Sequence, residues 1–168
     1  MTLKKATQRD SSALANLFIG HLQAHPEYIS HGEIQMGVGE RIILDGTVIT
    51  RLASQARQKW LRYIREHLNA PDGCVWKVVG QDGTIAGFAV ADVEEDGDAP
   101  FGVVCDVLVK EEYRGQGAGG MLLEAAVGWL REKGVKDIYL ESGKDNHSAH
   151  RFFERRGFTH ISEIYKLL

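Results

Sequence analysis

Residues 112–130 read EYRGQGAGGMLLEAAVGWL, and this stretch decides how the rest of the chain is read. Gly115, Gly117, Gly119 and Gly120 fall within six residues, directly after Arg114. Leu122, Leu123, Ala126, Val127 and Leu130 then recur at helical spacing, and Gly134 supplies a stop. Before the loop, FGVVCDVLV (101–109) is apolar enough for a central strand. The unit is strand, glycine loop, helix. One reading is a tight turn, since glycine permits positive φ and close packing; four glycines exceed what such a turn needs. A second is a dinucleotide fingerprint, because Gly115-x-Gly117-x-x-Gly120 follows a strand, opens a helix and has Glu141 at the end of the next strand. Only about 25 residues follow Glu141, too few for a doubly wound sheet. A Walker A loop is excluded, since no Gly-Lys-Ser/Thr follows. A third reading is an anion cradle, in which N–H groups at a helix start face a pyrophosphate that glycines allow close to the main chain.

Outward from this unit, a short strand begins near Leu3. Thr7 and Asp10 offer caps to a helix carrying Leu14, Leu17, Phe18 and Leu22. A second helix is expected over 52–68, with Trp60, Leu61, Ile64 and Leu68 on one face. APDG (70–73) is a turn, and two β-rich runs flank Asp82-Gly83 as a hairpin. After the glycine unit, KDIYLES reads as a strand, 147–156 as a short helix ended by Gly157, and FTHISEIYKLL as a last strand. The order β-α-α-β-β-β-α-β-α-β argues for an α/β fold, a mixed and partly parallel sheet with helices on both faces. The whole chain, 1–168, reads as one domain. Residues 25–50 fit least well; a long irregular stretch in a compact domain is usually functional or has structure of its own.

The 168 residues are 43% hydrophobic and 26% charged, with net charge −3. That is the profile of a soluble protein, and no basic excess suggests a nucleic-acid partner. No apolar run approaches a membrane span, and the N-terminus MTLKKATQRD has no signal-peptide core. Cys74 and Cys105 sit in apolar runs and read as buried, reduced residues of a cytoplasmic protein. With no CxxC, no HExxH and scattered histidines, no metal is expected.

Arg114-Gly-Gln-Gly117-Ala-Gly119 has the form R-x-x-G-x-G. Here the chain resembles the GNAT superfamily of N-acetyltransferases, whose acetyl-CoA signature is Q/R-x-x-G-x-G/A. NHSAHRFFERRGF, Asn146 to Phe158, is similar to the family's N-x-x-A-x-x-x-Y-x-x-x-G-F. The resemblance is specific over residues ~101–160 and extends by element order to most of the chain, leaving out 25–50. It implies an acetyl-CoA-dependent N-acetyltransferase acting directly on a primary amine of a small molecule or peptide. It further implies that Arg114, Gly115, Gln116, Gly117, Ala118, Gly119 and Gly120 hold the pyrophosphate, and that the main chain of Val107, Leu108 and Val109 binds the pantetheine arm. Asn146 and Phe153 carry over as cofactor contacts, though Asn146 also reads as a plain helix cap.

Acetyl transfer needs a neutral amine, so a base must remove a proton from a group with a pKa near ~10. Glu141 matches a position where some relatives carry a glutamate base; a solvated strand-end glutamate is the alternative. Asp106 interrupts an apolar strand, and a buried carboxylate needs a partner, structural or catalytic. Cys105 would act as nucleophile only with an activated thiol. The chain departs from the family at Phe153, where the usual tyrosine acid stands. Tyr139, Tyr165 and His150 are the available substitutes. Alternatively the thiolate leaves unassisted, or the protein is a catalytically silent acyl-CoA-binding domain. DVEEDGDAP (92–100) concentrates acid where it would steer a cationic amine. Residues 25–50, with Tyr28, His31, Glu33 and Met36, are assigned as acceptor-site lid or wall, and a homodimer is one arrangement the sequence leaves open.

Overall fold

The computed structural model describes residues 1–95, 99–165 and 167. A five-stranded sheet runs in the order β1 (Thr2–Lys5), β4 (Gly73–Val79), β5 (Ile85–Glu94), β6 (Phe101–Val109), β7 (Ile138–Tyr139). Its pairings are antiparallel except the last, where β6 and β7 run parallel. Helices α1 (Ser11–Ala24) and α3 (Ala56–Asn69) cover one face. Leu14, Phe18, Trp60 and Ile64 there meet Val75, Phe88, Val90 and Leu108. Trp60 is fully buried and stacks on Phe18 at 4.5 Å. On the other face α4 (Ala118–Glu132) buries Leu122, Leu123, Ala126 and Leu130 against Val78, Ala86, Ala89, Ala91 and Val104. The small residues of β5 on that side let α4 lie close to the sheet. Phe152, Phe153 and Phe158 extend this layer through α5 (His147–Glu154). The expected mixed sheet with helices on both faces is the fold found.

Residues 25–50 have structure of their own. A 3₁₀ turn at Pro26–Tyr28 leads to α2 (His31–Gln35) and then to a separate hairpin, β2 (Gly39–Leu44) with β3 (Thr47–Leu52). Ser30 and Glu33 form a capping box that starts α2. Asp45 and Gly46 take φ of +49° and +77° at the hairpin turn, the backbone a tight hairpin requires. Because β3 runs to Leu52, the helix expected from 52 starts only at Ala56.

One expected strand is shorter and another does not form among the described residues. KDIYLES contributes only Ile138 and Tyr139, so Glu141 lies in coil beyond the strand rather than at its end. FTHISEIYKLL forms no strand over 158–165, while Lys166 and Leu168 lie outside the described residues. A strand exists through its ladder partners, and β7 offers an edge two residues long. Ile161, Ile164 and Tyr165 are accordingly exposed. Among the described residues no helix is long and apolar enough to cross a membrane.

Candidate active site

β6 and β7 stay paired for two registers, Gly102 with Ile138 and Val103 with Tyr139. Beyond Val103 the outer edge of β6 has no strand partner among the described residues. The main-chain groups on this edge from Val104 to Leu108 are therefore open to an extended ligand that carries amides, while the Val109 carbonyl accepts from Arg114. This places the expected pantetheine residues Val107, Leu108 and Val109 along a free strand edge.

At the end of that edge the chain turns through a 3₁₀ segment, Glu111–Tyr113, into the glycine loop. Gly115 and Gly117 have φ of +73° and +90°, a backbone that L side chains rarely adopt. Gly117 is the N-cap of α4 and no side chain caps it. The first N–H groups of the helix thus face outward at its positive end. Arg114, Gly115, Gln116 and Gly117 are all exposed, while Ala118 and Gly120 are buried. The Arg114 side chain donates from Nε to the Val109 carbonyl at 3.1 Å, tying the loop to the strand end and leaving the rest of its guanidinium outward. Gln116 spends its amide on the Glu112 carbonyl at 2.8 Å. Arg156 is a cation that sequence reasoning missed. Its Nη2 would lie 2.8 Å from a Cβ placed on Gly120, and its guanidinium covers the Phe152 ring at 3.9 Å. It adds positive charge beside the start of α4, in the RRG run that precedes Phe158.

Asn146 caps α5, its Oδ1 accepting from the Ala149 N–H at 3.3 Å and from Ser148. Phe153 packs edge-to-face on Phe152 and Phe158. The substitutes for its missing hydroxyl are engaged elsewhere. Tyr139 packs edge-on against Phe101, Tyr165 is exposed and donates to Glu163, and His150 Nε2 meets the Gly143 carbonyl at 3.0 Å.

The bulge in β6 shapes the other side of the site. Val90 pairs with Asp106 and Ala91 with Val104, so Cys105 is an extra residue. Regular alternation would send Cys105 and Asp106 to opposite faces. Here Val104 and Val107 pack under α4, while Cys105 and Asp106 both turn toward α3. The Tyr63 hydroxyl of α3 donates to Asp106 Oδ2 at 2.6 Å. Burial pushes the Asp106 carboxyl up to about 6 against the pull of that hydrogen bond; Glu33 adds to the rise and His67 opposes it. Burial likewise raises the Tyr63 hydroxyl well above its usual range, with Asp106 adding to it. Cys105 is held protonated by burial and by Asp106 and Asp92, so its thiol is not an activated nucleophile.

His67 Nε2 lies 2.5 Å from Asp92 Oδ2, and Nδ1 meets the Tyr63 carbonyl at 2.9 Å. Burial would lower the His67 pKa, yet these two partners raise it on balance. Through these two contacts the imidazole braces α3 against β5 of the sheet.

Glu141 is half-exposed and meets His31 Nδ1 at 3.1 Å, a contact across 110 positions that joins α2 to the chain after β7. His31 and Glu33 of the expected lid thus flank both candidate bases. Of the acidic run 92–100, Asp92 is committed to His67, and residues 96–98 lie outside the described residues.

A free strand edge running into an uncapped, glycine-rich helix start is the layout of an α/β protein that grips a phosphorylated thioester cofactor through main chain. The chain belongs to the acetyltransferase (GNAT) family, whose model matches residues 47–158. Enzymes of this family use acetyl-CoA. Among curated relatives, an N-alpha-acetyltransferase 30 of Schizosaccharomyces pombe is 34% identical over 65 residues, 39% of this chain and 43% of that protein. The chain therefore spans less than half the length of that relative. A tetramutant of the BH1408 protein from Bacillus halodurans superposes with a TM-score of 0.77 at 19% identity, covering 100% of this chain and 99% of the other. The aminoglycoside N-acetyltransferase AAC(6')-Iy, crystallised with CoA, superposes with a TM-score of 0.71 at 15% identity, covering 99% and 93%. At these identities the likeness is one of fold.

Proposed function

We propose that this chain is a single-domain, acetyl-CoA-dependent N-acetyltransferase that moves the acetyl group directly to a primary amine of a small molecule or peptide. The observation that carries this is the continuity of the open β6 edge with the exposed loop Arg114–Gly117 at the start of α4. In this reading Val107, Leu108 and Val109 pair with the pantetheine amides. Arg114, the main chain from Gly115 to Gly120 and the nearby Arg156 hold the pyrophosphate. Asn146 and Phe153 border the cofactor from α5. The thioester lies where β6 and the chain after β7 separate, between Glu141 and the Tyr63–Asp106 pair. Residues 25–50 wall the acceptor side, which the His31–Glu141 contact supports. The free thiols Cys74 and Cys105 suit a reducing cytoplasm.

Phe153 favours one second reading, a silent acyl-CoA-binding domain, because phenylalanine has no proton to give. A thiol-release assay with acetyl-CoA across a panel of amines separates the two. Amine-dependent release of thiol supports the enzyme, and tight acetyl-CoA binding with no release on any amine supports the silent domain.

A further inference from the structure

Among the described residues, a cluster outside the proposed cofactor site brings three kinds of metal-ligating side chain together. The ligand atoms of His67 on α3, Asp92 on β5 and Cys105 on β6 all lie within 4.8 Å of one another, and each residue is half-buried. Cys105 is the extra residue of the β6 bulge and faces α3. The three come from separate elements with no short spacing between them, so no sequence motif marks them.

The imidazole is already aimed. Its Nδ1 meets the Tyr63 carbonyl at 2.9 Å. A carbonyl only accepts, so the Nδ1 proton is committed there, and Nε2 is the nitrogen that faces Asp92 Oδ2 at 2.5 Å. A metal-bound histidine almost always donates its other ring N–H in this way, which fixes the tautomer and directs the ligating nitrogen. Two acceptors as close as Nε2 and Oδ2 need positive charge between them, a proton or a metal ion. Burial, and then Asp106, Asp92 and Glu94, keep the proton on the Cys105 thiol. The same carboxylates favour a divalent cation, which displaces that proton when it binds.

We infer that His67, Asp92 and Cys105 form a binding site for a thiophilic divalent cation of the zinc type, joining α3 to β5 and β6. Imidazole, carboxylate and thiolate together suit Zn²⁺. With ligand bonds of about 2.0–2.3 Å, a tetrahedral ion sets its ligand atoms roughly 3.3–3.7 Å apart. Nε2 and Oδ2 must part by about an ångström, and the thiol closes by no more than about the same, within reach of side-chain rotation. The fourth position is left to water. On binding, the thiol proton and the proton held between Nε2 and Oδ2 both pass to solvent. Cation binding here is independent of the proposed acetyl transfer.

The test is titration of the reduced, chelator-treated chain with Co²⁺, a spectroscopic stand-in for Zn²⁺, followed by displacement with Zn²⁺. Wild type should develop a thiolate-to-metal charge-transfer band and the intense visible bands of a four-coordinate ion, and Zn²⁺ should abolish both. Cys105→Ser should lose the charge-transfer band. His67→Gln and Asp92→Asn should each weaken Zn²⁺ binding by at least about tenfold. Cys74→Ser, which alters the other free thiol, should leave spectrum and affinity unchanged. Circular dichroism checks that each variant is folded. Wild type without a charge-transfer band overturns the inference, whatever the variants do. A band that persists in Cys105→Ser or vanishes in folded Cys74→Ser overturns it too, as does unchanged Zn²⁺ affinity in folded His67→Gln.

Discussion

Asp106 gives the fold a pH dependence that can be measured without a substrate. Its carboxyl titrates at about 6 in the folded chain against an ordinary 3.8. The cause is burial, partly offset by the Tyr63 hydrogen bond and His67 and reinforced by Glu33. A difference of about two pH units corresponds to roughly 3 kcal/mol. Between the two values the folded chain keeps a proton that the unfolded chain has released. Stability contributed by this group therefore falls as pH rises from about 4 to 6, and the loss is complete above about 7. Asparagine cannot ionise, has the same size and keeps an oxygen for Tyr63 to donate to. Asp106→Asn should then be more stable than wild type at about pH 7.5, by as much as ~3 kcal/mol, and the two should converge toward pH 4. Urea denaturation of both proteins between about pH 4 and 8 gives the difference, provided the slopes agree. Parallel stability profiles, or a variant less stable than wild type at about pH 7.5, would show that burial does not hold the proton on Asp106. If the expected result holds, a carboxylate is being kept where it weakens the fold, as a catalytic group would be.

Two further outcomes follow from the site. The main chain of the glycine loop should recognise the pyrophosphate, so acetyl-CoA should bind at least tenfold more tightly than acetyl-pantetheine, a gap of about 1.4 kcal/mol by calorimetry; equal affinities would remove the loop from the cofactor site. Because Tyr139 and Tyr165 are engaged away from Phe153, replacing either by phenylalanine should change kcat by less than about threefold, since a thiolate with pKa near ~8.5 leaves without an acid; a 10²-fold loss in either variant would mark it as the substitute acid.

The proposed cofactor half of the site is legible in the sequence because its chemistry is local. A strand, a run of glycines and a helix start lie within about 30 consecutive residues, and the proposed binding uses main chain rather than side chains. The acceptor half is not, because it is assembled from distant segments. Tyr63 lies 43 positions from Asp106, and its place on the apolar side of α3 reads as ordinary core. His31 and Glu141 each stand out in the sequence, but nothing in it joins them across 110 positions. Residues 25–50 did carry signals, the capping box Ser30-x-x-Glu33 and the Asp45-Gly46 turn. They were masked by the consecutive apolar residues Ile42, Ile43 and Leu44, which break strand alternation. Asp106 stood out as polar in an apolar strand, but the bulge that turns it beside Cys105 toward α3 depends on pairing with β5. The strand expected at 158–168 shows the converse: residues suited to a strand, without an edge long enough to pair with.

Acetyl transfer by this chain is tested most simply by release of the CoA thiol from acetyl-CoA by the wild-type chain, with mass spectrometry of the acceptor, across small amines, amino sugars, amino acids and peptide N-termini. Release should depend on an amine and be matched one for one by an acetyl group, about 42 Da, on its nitrogen. Saturable acetyl-CoA binding with no acetylated product from any class would contradict it and leave a silent acyl-CoA-binding domain.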